Sequence, residues 1–166
     1  MKIKLEQFRK LDIYKSTEQP LIVYHMTPRE NLGAIVDSGK IKTGKDFVCW
    51  LFTDLEKIPM YIDITGATHG RQYYDFDGKI HTAPPLIPAE QIIFKLQPRR
   101  PEPLAWYKEN TADKATDDDQ RKLLLLFDDC RIAHFDDFAF KSNFEILELT
   151  DILKQWPLRG SAKAYL

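Results

Sequence analysis

The stretch at residues 21–39, LIVYHMTPRENLGAIVDSG, decides how the first half of this chain folds. Its opening run, residues 21–25, is apolar and β-branched in the middle, which predicts a buried strand that ends at its histidine. Thr27 then stands where an N-cap is expected, Pro28 suits the first helical position, and Glu30 completes a capping box. We therefore predict a strand that leads directly into a capped helix.

The helix that follows has one apolar face and a clear end. Leu32, Ile35 and Val36 share one side of a helical repeat, and Gly39 supplies the residue type that most often terminates a helix. This stretch places a polar histidine side chain at the end of a strand, beside the start of a helix. Ligands often approach α/β scaffolds at such a point.

The rest of the chain mixes strands and helices without a regular alternation. Further strands are predicted at residues 47–52, 92–96 and 144–149, a partly alternating segment at 131–140, helices at 54–64 and 117–129, and a short aromatic helix around residues 106–107. The helix at 117–129 is expected to be well buried because residues 123–127 are apolar all round. Residues 65–89 are rich in Gly and Pro and predict a long irregular loop. The fold class is therefore α+β, with a loose lead-in or short helix at 1–20 and one domain at 21–166.

Composition limits the classes of function. The 166 residues include 24 Lys and Arg against 25 Asp and Glu, for a net charge of −1, which argues against a dedicated polyanion binder. Cys49 and Cys130 are too few for a disulfide framework and stand in apolar contexts, so we expect two buried, reduced thiols. No signal peptide and no membrane span are evident, so we expect a cytoplasmic protein that does not enter a membrane.

Two carboxylates compete in the last predicted strand, NFEILEL at residues 143–149. Strand alternation places Glu145 on the same face as Leu147 and Leu149, whereas Glu148 belongs to the other face. A carboxylate on an otherwise apolar face is costly unless it is paired, so Glu145 is the preferred site candidate and Glu148 stays open.

Three short segments together resemble the ADP-ribosyltransferase superfamily, in its His–Tyr–Glu branch of poly-ADP-ribose polymerases and diphtheria-type toxins. The segment YHMTPRENLGAIVDSG is similar to the family's opening strand and helix, WLFTDLEKIPMYI to its aromatic strand and tyrosine-bearing helix, and NFEIL to its glutamate-bearing strand. The resemblance implies a split-sheet α+β fold with short flanking helices and NAD as a substrate. Where many relatives have His-Gly, this chain has His25-Met26-Thr27, which is also similar to the DNA-targeting and RNA 2′-phosphotransferase branches.

The resemblance also implies roles for individual residues. His25, with Thr27 in the same segment, would bind a ribose of NAD, and Tyr61 would stack on the nicotinamide ring. Glu145 would hold a ribose hydroxyl and stabilise the positive charge that develops as the glycosidic bond breaks. ADP-ribose would pass to a protein or nucleic-acid acceptor, and no metal is implied.

Other interpretations remain for the same residues. His25 could be a core histidine bonded to a backbone carbonyl, and Tyr61 could simply pack a helix on the sheet. A 2H phosphoesterase acting on RNA ends would pair His25-Met26-Thr27 with a second motif, but His81-Thr82-Ala83 lacks the third-position hydroxyl. A metal site at His69, Asp75, Asp77 and His81 lacks regular ligand spacing. A non-catalytic protein-binding domain of the same fold, such as a phage or toxin-associated factor, is the third alternative.

Overall fold

The computed structural model describes residue 11 and residues 13–44, 46–74, 77–99 and 106–166. The strands are β1 (Ile13–Lys15), β2 (Val23–Pro28), β3 (Lys40–Ile41), β4 (Val48–Phe52), β5 (Arg71–Tyr74), β6 (Ile80–Ala83), β7 (Gln91–Leu96), β8 (Trp106–Glu109), β9 (Arg131–Phe135), β10 (Phe138–Ala139) and β11 (Glu145–Glu148). The α-helices are α1 (Leu32–Ser38), α2 (Lys57–Thr65), α3 (Asp118–Cys130) and α4 (Leu149–Gln155). Short 3₁₀ turns lie at residues 29–31, 67–69, 88–90, 111–114 and 162–165. The mixed α+β class is confirmed.

A seven-stranded antiparallel sheet in the order β1-β8-β9-β4-β2-β7-β11 organises the described residues. The sheet has the fewest paired residues at its middle, between β2 and β4. β2 and β4 share a single registered pair, Tyr24 with Phe52, whereas β2 pairs with β7 over its whole length, Val23–Pro28. The sheet therefore consists of two well-paired parts, β1-β8-β9-β4 and β2-β7-β11, that meet at one narrow junction. β3 pairs with β10, and β5 pairs with β6, in two smaller sheets.

Each face of the large sheet carries its own hydrophobic core. Val23, Leu51 and Phe94 belong to the core beneath α1 and the β3–β10 pair. On the opposite face, Phe52 and Ile93 belong to the core formed with α2, α3 and α4. Each fully buried aliphatic or aromatic side chain contributes about 1.5–3 kcal/mol relative to exposure. Because side chains alternate along a strand, His25 and Thr27 face the α1 side with Val23, and Tyr24 faces the α2 side.

The predicted capping box at Thr27 and Glu30 is wrong, although the helix after it exists. β2 continues through Pro28 and a 3₁₀ turn follows, so α1 begins only at Leu32 and its Asn31 N-cap makes no side-chain cap bond. The Thr27 hydroxyl instead accepts a hydrogen bond from the Asn31 side-chain amide at 2.9 Å. The helix predicted at 54–64 begins at Lys57 without a side-chain cap. The predicted end of α1 at Gly39 is confirmed, with φ 63° and a Gly39 N–H bond to the Ile35 carbonyl.

Three other predictions are wrong, two of them because the pairing partners lie far along the chain. Residues 65–89 are not one irregular loop, since β5 and β6 form an antiparallel hairpin within them. Residues 106–109 form β8 rather than a helix, paired with β9 and β1. Residues 13–15 of the expected lead-in form β1, so they belong to the large sheet; residues 1–10 and 12 lie outside the described residues.

The prediction that α3 is well buried is wrong, because Leu125 is 49% exposed and the helix buries Asp128 and Cys130 instead. The last strand ends at Glu148, where α4 begins. Both cysteines are buried and free, as predicted, and burial raises the pKa of each thiol to about 12.

Candidate functional site

His25 is the third of the six residues of β2, beside the narrow junction with β4, so the prediction that the strand ends at this histidine is wrong. Its Nδ1 atom is buried and has no hydrogen-bond partner among the described residues. Burial lowers the pKa of its imidazole to about 4, and a backbone hydrogen bond with Trp50 of β4 offsets this only in part. The ring is therefore neutral at neutral pH, and it offers one unused polar atom.

The His25 cavity, as we name it, is a space of about 230 Å³ between β2, α1 and β3. It is lined by His25, Thr27, Asn31, Ala34, Ile35, Ser38, Lys40, Ile41 and Lys42. Thr27 is buried, at 5% exposure, and its hydroxyl is held by the Asn31 amide. The wall nearest β2 thus presents neutral polar groups, and the two lysines add positive charge toward β3.

Sequence reasoning missed Asn31 as a lining residue. Its signal was available, because Asn31 is part of the segment that carries the family resemblance and lies four residues after Thr27. The 3₁₀ turn at residues 29–31 is what brings the Asn31 amide back over β2.

Tyr61 lies on the other face of the sheet from His25. Its ring packs edge-on against Phe52 at 5.3 Å and stacks with Phe127 at 5.9 Å between ring centroids. The Arg131 guanidinium carbon lies 4.6 Å from the ring centroid of Tyr61. With 8% of its surface exposed, the tyrosine ring is largely covered. A planar ligand that stacked on Tyr61 would have to displace one of these neighbours.

Arg131 forms a partly buried cluster that the sequence did not indicate. Its guanidinium carbon also lies 4.3 Å from the Trp50 ring centroid, and one of its amino groups bonds the Glu109 carboxylate at 3.1 and 3.3 Å. The Nε atom of Arg131 is buried without a partner among the described residues. Burial raises the pKa of Glu109, although Arg131 opposes this effect. Trp50 therefore connects the two candidate residues, since His25 bonds its backbone and Arg131 covers both its ring and that of Tyr61.

The two candidate glutamates face opposite sides of the sheet. Glu145 stands opposite Lys95, which is opposite Tyr24, so it belongs to the Tyr61 side. It is exposed, because β11 is an edge strand and Glu145 is its first residue. The strand-face prediction is confirmed, but the expectation of a buried carboxylate at Glu145 is wrong.

Glu148 stands opposite Ile92, which is opposite Thr27, so it belongs to the His25 side. Both of its carboxylate oxygens accept hydrogen bonds from the Arg29 guanidinium. That contact lowers the pKa of Glu148 below its ordinary value. The carboxylate is therefore ionised and held at the end of β11, beside the turn that follows β2.

The structure brings His25 and Thr27 together in one cavity and places Tyr61 in the lining of another. That second cavity, of about 690 Å³, lies between α2, the β5–β6 hairpin and residues 84–91. Glu145 lines neither cavity. The predicted set is thus divided between the two faces of the sheet.

The alternative sites are also separated. His81 lies in the exposed hairpin strand β6, where its ring stacks on Tyr73 at 5.4 Å, whereas His25 lies at the sheet junction. Within the described ranges, no group of three or more His, Cys, Asp or Glu residues is placed to hold a metal ion; Asp75 lies outside those ranges. None of the described helices is long and apolar enough to cross a membrane.

The chain matches no protein-family model, and neither a curated protein nor a solved structure is significantly similar to it.

Proposed function

We propose that this chain is an NAD-dependent transferase of the ADP-ribosyltransferase type, in which His25 and Thr27 bind a ribose of NAD. The observation that carries the proposal is the buried Nδ1 atom of His25, which has no partner among the described residues and belongs to a side chain that lines the His25 cavity. An unpaired buried polar atom costs free energy, and a ligand hydroxyl would remove that cost.

The chemistry of the cavity supports a ribose. The imidazole is neutral, so it exchanges hydrogen bonds with hydroxyl groups without adding charge. The Thr27 hydroxyl and the Asn31 amide lie beside it. A space of about 230 Å³ is below the usual size of a complete ligand site, so it would take one part of NAD and leave the rest to lie along the junction.

The narrow junction between β2 and β4 also supports the proposal. A single registered pair joins the two parts of the sheet there, which agrees with the split sheet that the family resemblance implies. His25 lies at this junction and bonds the backbone of Trp50 across it. A dinucleotide lying along the junction would reach groups from both parts of the sheet.

Nicotinamide stacking on Tyr61 requires a movement in this proposal. The Arg131 guanidinium covers the tyrosine ring, 4.6 Å from its centroid, so it must swing away before another flat group can take that place. Glu145 or Glu148 would then stabilise the oxocarbenium-like charge at the anomeric carbon. Glu145 is nearer to the Tyr61 face and Glu148 to the His25 face.

The covered ring of Tyr61 favours one second candidate, a non-catalytic binding domain of the same fold. In such a protein the Arg131–Glu109 pair and its aromatic neighbours would be a permanent part of the core. NAD binding separates the two candidates, because a non-catalytic domain has no reason to retain it.

The test measures nicotinamide release and ADP-ribose transfer from labelled NAD, with protein and nucleic-acid acceptors supplied in parallel. We expect His25→Asn to raise KM for NAD by about tenfold, the effect of losing a hydrogen bond in a buried site. We also expect either Glu145→Gln or Glu148→Gln to lower kcat by about a hundredfold or more, and the substitution that does so identifies the catalytic carboxylate. Glu18→Gln, which changes an exposed carboxylate in the segment before β2, is the matched control.

The proposal fails if the unmodified protein shows neither turnover nor a thermal shift with NAD. It also fails if turnover is unaffected by both glutamine substitutions and by His25→Asn.

A further inference from the structure

The larger cavity, on the opposite face of the sheet from His25, has a chemistry of its own. We call it the Arg71 cavity and define it by Met26, Tyr61, Ala67, Arg71, Pro85 and Leu86. Its volume of about 690 Å³ is within the range of small-molecule sites in proteins. The proposal that follows does not require NAD, although Tyr61 has a role in both proposals.

The walls of the Arg71 cavity are held in place by the backbone. The Leu86 N–H donates to the Ala67 carbonyl at 2.8 Å, which ties the segment after β6 to the turn after α2. Gly70 has φ 75°, and a Cβ there would lie 3.0 Å from the Ala83 carbonyl oxygen, so only glycine allows the hairpin base to approach this closely. A pre-formed apolar wall of this kind favours binding, because little free energy is needed to order the protein around a ligand.

The polar end of the cavity is formed by Arg71 and the Tyr61 hydroxyl. One amino group of Arg71 lies 3.5 Å from that hydroxyl oxygen, which is a long and weak hydrogen bond. Within the described part of the chain, no carboxylate forms an ion pair with Arg71. A guanidinium that faces a cavity and pairs with no carboxylate of the described residues is suited to a planar anion.

Other charges at the cavity disfavour a ligand with two negative charges more than a ligand with one. Arg29 also lines it, but this guanidinium is already paired with Glu148. Glu30 and Glu90 line it too, and their carboxylates repel a dianion. One available cation and two carboxylates therefore favour a monoanionic carboxylate over a phosphate monoester.

We propose that the Arg71 cavity binds a small organic carboxylate whose apolar body packs against Met26, Pro85 and Leu86 while its carboxylate pairs with Arg71 and the Tyr61 hydroxyl. The carboxylate gains two charge-assisted bonds in place of the long Arg71–Tyr61 contact. The apolar body covers the Leu86 and Pro85 wall. No covalent step is involved.

Hexanoate is the probe, with binding followed by two-dimensional NMR titration of the full chain. We expect saturable shifts at Ala67, Arg71 and Leu86 with a Kd of about 1 mM or tighter, as suits a ligand of this size. Hexanamide, which has the same shape without the charge, should bind at least about tenfold more weakly, and hexyl phosphate should also bind more weakly than hexanoate.

Two variants test the site itself. Arg71→Met should weaken hexanoate binding at least about tenfold, whereas Arg121→Met, at an exposed position on α3, should leave it unchanged. Ala67→Leu fills the cavity and should abolish binding, which tests the site even if Arg71→Met fails to fold. The proposal is overturned if hexanamide binds as tightly as hexanoate, if hexyl phosphate binds more tightly, if Ala67→Leu binds normally, or if no saturation occurs up to about 10 mM.

Discussion

At the scale of single residues, His25 shows how burial sets the chemistry of a side chain. An exposed imidazole titrates near pH 6.5, but burial in the folded protein lowers the pKa of His25 to about 4. The folded protein therefore keeps the ring neutral at pH values where the unfolded chain protonates it. That difference must appear in the stability of the protein.

The free energy of unfolding should fall as the pH is lowered from about 6.5 toward 4, since the unfolded state then binds a proton that the folded state does not. At pH 5 the loss from His25 alone should be about 2 kcal/mol relative to pH 7.5. Urea unfolding at the two pH values measures it. His25→Asn should remove most of this difference.

His134 provides the comparison, because burial also lowers the pKa of its imidazole. Its neutral ring should therefore also make the free energy of unfolding fall as the pH is lowered. His134→Asn should reduce the pH dependence while leaving the His25 contribution in place. If the His25→Asn variant retains the full difference in the free energy of unfolding between pH 5 and pH 7.5, the imidazole of His25 is not a buried neutral group in the folded protein.

The sequence indicated some residues correctly and could not indicate others. His25 was found because its strand and the following turn are local features of the chain. The covered state of Tyr61 was missed because Arg131, which covers it, comes from β9, and no periodicity links the two. Glu145 was expected to be buried because alternation gives a face, but whether a face is covered depends on the position of the strand in the sheet.

At the scale of elements, glycines act in two opposite ways. Gly39 and Gly66 end α1 and α2 with φ values of 63° and 65°, in the left-handed region that other residues enter only with strain. Gly33 lies inside α1 without a positive φ, and a Cβ there would meet nothing within 4 Å. The same substitution should therefore have opposite effects at these sites.

Gly39→Ala and Gly66→Ala should each lower the free energy of unfolding by about 1 kcal/mol, because alanine is strained at a positive φ. Gly33→Ala should raise it by about 0.5–1 kcal/mol, because alanine reduces the entropy of the unfolded chain and favours the helix. Thermal or urea unfolding of the three variants provides the measurement. Equal effects of all three substitutions would contradict the positive φ values at Gly39 and Gly66 and the helical conformation of Gly33.

Helix ends were thus partly readable from the sequence, and helix starts were not. Glycine terminates a helix through its own backbone, so the Gly39 signal needs no partner. A Thr or Ser hydroxyl can serve other acceptors and donors, and Thr27 bonds Asn31 within an extended strand instead. Asp117 does cap α3, since its carboxylate accepts a hydrogen bond from the Gln120 N–H, but residue 117 was predicted as the first residue of that helix and not as its cap.

At the scale of the whole molecule, Asp63 fastens the C-terminal segment to α2. Its carboxylate accepts hydrogen bonds from the Arg159 N–H at 2.8 Å, the Gly160 N–H at 3.2 Å and the Tyr165 hydroxyl at 2.7 Å. The partners stand 96 to 102 residues away in the chain. Asp63 is 8% exposed, so water cannot replace them fully.

Asp63→Asn should lower the free energy of unfolding by about 2–3 kcal/mol, because one of its acceptor oxygens becomes a donor that faces N–H groups. Tyr165→Phe removes one of the three bonds and should cost about 1 kcal/mol. Asp151→Asn, an exposed carboxylate on α4, is the control and should change stability by less than about 0.5 kcal/mol.

Amide hydrogen exchange gives the second measurement. Asp63→Asn should speed amide exchange at Arg159 and Gly160 more than at the centre of β7, since the C-terminal segment would open locally while the sheet stays folded. Uniform acceleration at all of these sites would mean that Asp63 supports the whole fold rather than this one attachment.

The sequence by itself determined the strand at β2, the helix that follows it and its end at Gly39, because each depends on neighbours within a few residues, and it indicated the buried thiols through their apolar neighbours. The tertiary structure alone decided which strands pair, that the sheet narrows between β2 and β4, and which side chains meet on each face. Those features depend on contacts between segments far apart in the chain, which local patterns do not record. For this reason the sequence could name His25, Tyr61 and Glu145, but only the fold could place them on two faces of one sheet.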